Sequence, residues 1–71
     1  MSLVLTKALN LIDLVEGGCE TLAGVAEASG MSRSTTHRLL ATLVKRNYLE
    51  YGDRRYQLRY RLFELAERKR E

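Results

Sequence analysis

The 71-residue sequence contains no proline, no tryptophan and only one cysteine. Cys19 therefore has no partner for an internal disulfide, and with the single histidine, His37, it falls short of a zinc site. No apolar run approaches the roughly 20 residues of a membrane span, and the N-terminus lacks the pattern of a secretory signal. We expect a cytoplasmic domain that holds no metal, uses no cofactor and does not bind a membrane.

The sequence also lacks the side-chain arrangements on which enzymes depend. A chain of 71 residues forms one small domain, which leaves little room for an enclosed active site. No pair of carboxylates lies in an apolar setting, and no nucleophile has an evident base. We predict that the chain is not an enzyme.

Basic residues are concentrated in the second half of the chain. Residues 1–30 contain one basic and four acidic residues, whereas residues 31–61 contain eight basic and two acidic residues. Such a block of positive charge indicates a polyanionic partner, although solvated surface cations are commoner than binding sites. Charge alone therefore supports nucleic acid binding only weakly.

Apolar periodicity predicts a first helix over residues 3–16, which the pair Gly17 and Gly18 ends. The stripe that we assign to the core comprises Leu5, Ala8, Leu9, Ile12 and Val15. Leu3 and Val4 add apolar side chains that this stripe does not need.

A short second helix is expected between Thr21, as its N-cap, and Ala28, before Gly30 breaks the chain. Its apolar positions are Leu22, Val25, Ala26 and Ala28. Gly24 lies inside this helix and costs about 1 kcal/mol relative to alanine. The second helix must therefore depend on its neighbours for stability.

A third helix is predicted from the N-cap Ser32 to Asn47, which suits a left-handed terminal position. Its inward stripe comprises Thr36, Leu39, Leu40, Leu43 and Val44, and its outward positions comprise Ser34, Thr35, Arg38, Ala41, Thr42 and Lys45. The apolar side chains thus face the core, whereas hydroxyls and cations face outward.

The stretch "YLEYGDRRYQL" alternates as two short strands about Gly52 and Asp53, with Arg54 and Arg55 at the tip. The following stretch "RLFELAERKRE" is predicted to be helical and meets no stop signal. The predicted fold is mainly α with a small β-hairpin: a winged helix-turn-helix of three helices, a two-stranded wing and the start of a linker helix.

This order of elements indicates DNA binding by the third helix, over about residues 32–46. Its N–H groups, its positive dipole end and its hydroxyls suit phosphate oxygens, and its arginines suit guanine in the major groove. The wing, over about residues 48–58, is expected on the backbone or in the minor groove. The candidate DNA-binding residues are Thr21, Ser32, Arg33, Ser34, Thr35, His37, Arg38, Thr42, Arg54 and Arg55.

The stretch "TLAGVAEASGMSRSTTHRLLATLVKRNYLEY", followed by "RYQL", resembles the DNA-binding domain of the IclR family of bacterial transcription regulators. Its most specific part is the S-T-x-x-R-L-L run over residues 34–40. Gly24, Asn47 and Arg59 depart from the residues usual in the family.

The resemblance implies sequence-specific binding of double-stranded DNA at a palindromic operator by the operator-reading module of a regulator, such as a repressor. It also implies a homo-dimer or tetramer, and a small-molecule effector bound only by a C-terminal domain absent from this sequence. We expect residues 1–59 to form the winged helix-turn-helix and residues 60–71 to begin the linker helix toward that domain.

Other interpretations of the same residues remain open. Ser32 can cap its helix without touching DNA, His37 can be a neutral surface residue, and Arg54 and Arg55 can be solvated. The four tyrosines can form stacking platforms for RNA, or they can pack in the core and the wing. A winged-helix domain that binds a protein or RNA is therefore the alternative function.

Overall fold

The computed structural model describes residues 3–59, and it confirms the predicted class of mainly helical winged helix-turn-helix. The elements are α1 (Leu3–Glu16), α2 (Leu22–Ser29), α3 (Arg33–Lys45), β1 (Leu49–Gly52) and β2 (Arg55–Leu58). No helix in this described part is long and apolar enough to cross a membrane. The helix predicted over residues 61–71 lies outside the described residues.

The bounds predicted for α1 are confirmed, but the predicted core stripe is wrong at two of its five positions. Leu5 and Leu9 are half-exposed, whereas Leu11, which the stripe omitted, is fully buried. The observed buried side of the helix runs through Leu11, Ile12 and Val15. Because α1 carries apolar residues on more than one face, its periodicity fits two overlapping stripes, and packing against α2, α3 and β2 selects between them.

Helix α2 is stabilised at both ends by the residues that the sequence indicated. The Thr21 hydroxyl accepts a hydrogen bond from the Gly24 N–H, and Gly30 ends the helix with a left-handed φ of 75°. A Cβ at position 24 would lie 3.0 Å from the Thr21 hydroxyl oxygen, so glycine leaves room for this cap. Ala28, predicted among the apolar positions, is exposed because the short helix buries one narrow face.

Helix α3 has its predicted orientation, with Thr36, Leu40 and Leu43 buried. The Ser32 hydroxyl caps it by accepting from the Thr35 N–H, and Asn47 follows the helix with a left-handed φ of 68°. Leu40 packs in one cluster with buried side chains from every other element. The core side of α3 is thereby fixed, and its opposite side is left to solvent.

The hairpin β1–β2, named the wing below, turns one residue later than predicted. Leu49 pairs with Leu58 and Tyr51 with Tyr56, so the two turn residues are Asp53 and Arg54 rather than Gly52 and Asp53. This register places all four paired side chains on one face, and Leu49 and Tyr56 are buried there. Arg55, predicted at the tip, is instead the first residue of β2.

The loop before α2 holds the wing against the helices. The Tyr56 N–H donates to the carbonyl oxygen of Glu20 at 2.7 Å, which adds one backbone rung beside β2. Arg55 also lies 3.6 Å from the carboxylate of Glu20. The wing and the start of α2 are therefore joined by both a backbone and a side-chain contact.

Candidate nucleic-acid interface

The solvent side of α3 forms a continuous polar surface, named the outer face below. It surrounds a shallow depression of about 490 Å³ lined by Ser34, His37, Arg38, Ala41, Thr42 and Lys45. These positions recur every three or four residues, so the helix period alone brings them onto one side. Within residues 3–59, no ion pair engages the cations of this surface, which keeps their charge available to an anionic partner.

Six of the ten predicted site residues lie elsewhere on the surface. Arg33 and Thr35 are exposed in the first turn of α3, next to the cap Ser32. Thr21 is the N-cap of α2, and Arg54 and Arg55 belong to the wing. The period of the helix brings the α3 residues together, whereas Arg54 and Arg55 lie on a separate element.

Two of the predicted hydroxyl groups already serve as helix caps. Thr21 accepts the Gly24 N–H at 3.1 Å, and Ser32 accepts the Thr35 N–H at 3.2 Å. A hydroxyl has two acceptor lone pairs and one proton, so a cap can still donate that proton to an anion. Capping and phosphate binding are therefore compatible at these helix ends.

Thr42 is different, because its hydroxyl donates to the backbone carbonyl oxygen of Arg38 at 3.0 Å. Its proton is thereby engaged within α3. What Thr42 offers to the outer face is its acceptor lone pairs and its methyl group, which suit a base-edge donor or an apolar contact better than a phosphate.

The tip of the wing has a backbone conformation that its residues adopt at a cost. Asp53 and Arg54 have φ values of 52° and 61°, in the left-handed region that favours glycine. Asparagine and aspartate tolerate this region, whereas arginine has no local hydrogen bond to offset it. An arginine at this strained position is consistent with a use for its charge.

The two remaining arginines of the wing region are paired with carboxylates. Arg55 lies 3.6 Å from Glu20, and Arg59 lies 3.4 Å from Glu50 across the hairpin. All four side chains are substantially exposed, so each pair contributes little to stability. Arg54, at the tip, has no ion-pair partner within residues 3–59. Arg55 would have to break its ion pair with Glu20 before it could bind a phosphate.

An open groove of about 430 Å³ lies between α3 and the wing. Its rim carries His37, Lys45 and Tyr51, and its floor includes Leu22, Val44 and Tyr56. The rings of Tyr51 and Tyr56 are 4.6 Å apart and tilted by 47°. Burial, with a smaller effect of Tyr51, raises the pKa of Tyr56.

Sequence reasoning did not include Lys45 and Tyr51 among the site residues. Lys45 carried a usable signal, because its outward position on the third helix was predicted. The sequence contained no such signal for Tyr51, because the alternation of residues in β1 predicted that its ring lies on the packed face of the wing. In the structure Tyr51 is 53% exposed, whereas Tyr56 on the same face of the wing is buried in the core cluster.

The tyrosines do not form a row of exposed rings within the described residues. Tyr56 is buried and Tyr48 is half-buried, whereas Tyr51 is exposed and Tyr60 lies outside the described part. A surface that binds single-stranded nucleic acid by stacking presents several solvent-exposed aromatic rings. This arrangement favours a duplex over a single strand as the partner.

Comparisons with known proteins agree with this architecture. The profile of the IclR helix-turn-helix domain matches residues 4–53. Among solved structures, an IclR transcriptional regulator from Alicyclobacillus acidocaldarius aligns with a TM-score of 0.87 and 27% identity, over 97% of this chain and 30% of its own. A Silicibacter protein classed with ICLR transcriptional regulators aligns with a TM-score of 0.82 and 30% identity, over 97% of this chain and 28% of its own.

A third solved structure is an IclR homologue from Microbacterium hydrocarbonoxydans in complex with 4-hydroxybenzoate. It aligns with a TM-score of 0.81 and 26% identity, over 93% of this chain and 29% of its own. Among curated proteins, no significant match is found. The chain thus spans about three tenths of the length of the solved structures that it matches.

Proposed function

Because the chain belongs to the IclR family of transcription regulators, whose helix-turn-helix domain binds DNA and is not an enzyme class, we propose that it reads a specific operator in double-stranded DNA. The observation that carries the proposal is the outer face of α3. It combines arginine, lysine, histidine and hydroxyl groups on one exposed side, and no ion pair within residues 3–59 occupies its cations.

In this proposal α3 enters the major groove with the outer face toward the bases. An α-helix fits a groove about 12 Å wide, and an arginine can bind guanine O6 and N7 with two hydrogen bonds. Arg38 lies in the middle of the outer face, whereas Arg33 lies at the helix start. We therefore assign base recognition first to Arg38, with Ser34, His37 and Thr42 beside it.

The helix ends and the wing would contact the backbone of the same site. Thr21, Ser32 and Thr35 lie at or near helix N-termini, where N–H groups and the helix dipole favour phosphate. Arg33 adds charge at the start of α3, and Arg54 extends from the tip of the wing toward a phosphate or the minor groove. Arg55 joins them if DNA displaces Glu20.

The test of base recognition is the pair Arg38→Ala and Arg38→Lys. Loss of a base contact should weaken duplex binding by about 1–3 kcal/mol while stability stays within about 0.5 kcal/mol of the parent chain. Lysine keeps the charge but not the bidentate geometry, so Arg38→Lys should retain the salt dependence and lose preference for the operator. Fluorescence anisotropy over a salt series measures both quantities.

Lys7→Ala is the matched control, because it removes one positive charge from the exposed surface of α1. It should leave operator preference unchanged. The operator used in these measurements would first be selected from genomic DNA fragments with the full-length regulator. A large drop in melting temperature for Arg38→Ala would instead assign Arg38 a structural role, and equal binding by all variants would count against DNA recognition by this face.

A glycine at the tip of the wing separates backbone strain from charge. Arg54→Gly should raise the free energy of unfolding by about 1 kcal/mol, because glycine accepts a positive φ. The same change should weaken duplex binding. If one phosphate contact is lost, the salt slope, which is the steepness with which the logarithm of the binding constant falls with the logarithm of the salt concentration, should decrease by about 0.9. Urea denaturation and a salt titration measure the two effects.

Asp53→Gly is the control, since position 53 has a similar positive φ but carries the opposite charge. It should stabilise the domain without weakening DNA binding. If both glycine variants leave affinity and slope unchanged, the wing tip points away from DNA.

The whole protein would carry further functions outside these 71 residues. We propose a palindromic operator bound by a homo-dimer or tetramer, with residues 1–59 as the DNA-binding unit and residues 60–71 leading to an effector domain. Support for a small-molecule effector comes from the M. hydrocarbonoxydans homologue, which was crystallised with 4-hydroxybenzoate.

A winged-helix module that docks an acidic protein or RNA is the second candidate, favoured by the same surface charge. Duplex affinity that falls steeply with salt, above a weak sequence-independent plateau, would exclude it.

A further inference from the structure

The groove between α3 and the wing borders the outer face but has a different chemistry. Its floor is apolar, and its rim holds one ammonium, one imidazole and one phenol. Lys45 has no ion pair within residues 3–59, and Tyr51 leaves about half of its surface in solvent. Tyr51 is also held by its contact with the ring of Tyr56, which limits the positions of its hydroxyl.

The groove and the outer face share one flank of the recognition helix. His37, Ala41 and Lys45 line both depressions, at a spacing of four residues along α3. A helix about 10–12 Å across nearly fills a major groove about 12 Å wide. When such a helix faces the bases, its flanks therefore face the two sugar–phosphate strands.

A DNA strand fits the mixed character of this groove. Each nucleotide presents an anionic phosphate next to a largely apolar deoxyribose. The ammonium of Lys45 and the hydroxyl of Tyr51 suit the phosphate, because a charged acceptor strengthens both hydrogen bonds. The apolar floor suits the deoxyribose, whereas a groove lined only by charged side chains would not suit it.

We infer that Lys45 and Tyr51 clamp one sugar–phosphate strand of the operator in the groove between α3 and the wing. The inference rests on the proposed function and adds a contact that is independent of base sequence. Such a contact fixes the register of α3 on the duplex, and through it the position of Arg38 against the bases.

The test uses the 71-residue chain and a mixed-sequence duplex of about three helical turns, since a backbone contact requires no operator. Tyr51→Phe keeps the ring and removes the hydroxyl, so affinity should fall about threefold to tenfold with an unchanged salt slope. Lys45→Met should lower affinity and also reduce the slope by about 0.9. Urea denaturation should show both variants folded.

Matched controls lie away from the groove. Gln57→Ala changes an exposed side chain on the opposite face of the wing, and Lys7→Met removes a charge from α1. Neither should change affinity by more than about twofold, because neither side chain lines the groove.

The outcomes separate this inference from the proposed function. Failure of the parent chain to bind duplex would contradict the proposed function itself. Salt-dependent binding by the parent, with Tyr51→Phe and Lys45→Met both equal to it, would overturn the clamp and leave DNA binding intact. Benzoate that shifts the NMR signals of Tyr51 and Lys45, while both variants bind duplex normally, would instead make the groove a small-molecule site.

Discussion

Leu11→Ala is expected to lower the free energy of unfolding by about 2–5 kcal/mol, the range for a fully buried leucine that leaves a cavity. Leu11 has no exposed surface and contacts the cluster formed by α2, α3 and the wing. A core of this size supplies only about 3–5 kcal/mol in total. The variant should therefore be largely unfolded at room temperature, as measured by circular dichroism in urea.

Leu9→Ala on the same helix is the control, because Leu9 is 48% exposed and lies outside the core cluster. It should cost no more than about 1 kcal/mol. A larger cost for Leu9→Ala than for Leu11→Ala would instead support the stripe that the sequence predicted, which includes Leu9 and omits Leu11.

Joining two copies of the chain is expected to raise affinity for a duplex with two half-sites by a factor on the order of 10²–10⁴. One recognition helix covers a short half-site, and a flexible tether makes the second binding event intramolecular. On a duplex with one half-site the gain should be small. Competition binding with the selected operator and its half-site measures both values.

This result requires the single chain to be largely monomeric at micromolar concentration, which sedimentation checks. Leu3 and Val4 are the most exposed large apolar side chains of α1, at 70% and 62%, and they offer only a small surface for self-association. A stable dimer of the 71-residue chain, or a tethered pair without a gain on two half-sites, would contradict the expectation.

Local signals in the sequence identified most of the fold. Hydroxyl caps at Thr21 and Ser32, and left-handed ends at Gly30 and Asn47, depend on a few neighbouring residues, so the sequence alone predicts them. The inward side of α3 was also predictable, because its leucines and Val44 share one side and its charged residues lie on the other. Nothing comparable restricts α1, where leucines surround the helix and tertiary packing decides between Leu9 and Leu11.

The candidate site was predictable where it depends on helix period and not where it depends on the wing. Arg38 and Thr42 share one side of α3 for geometric reasons that the sequence contains. The ion pair of Arg55 with Glu20 and the exposure of the Tyr51 ring depend on how segments distant in sequence pack together. Such contacts follow from the register of the hairpin and its attachment to the loop before α2, which no short motif specifies.

That attachment has a kinetic consequence. The hydrogen bond from the Tyr56 N–H to the Glu20 carbonyl oxygen fixes strand β2 of the wing relative to the start of α2 in the DNA-free domain. Few residues of the domain then need to become ordered in the encounter, so long-range electrostatic attraction governs the association rate. If the domain reads an operator as proposed, differences in affinity between DNA sequences should arise in the dissociation rate. The lifetime of the complex, rather than the speed of its formation, should then differ from one sequence to another.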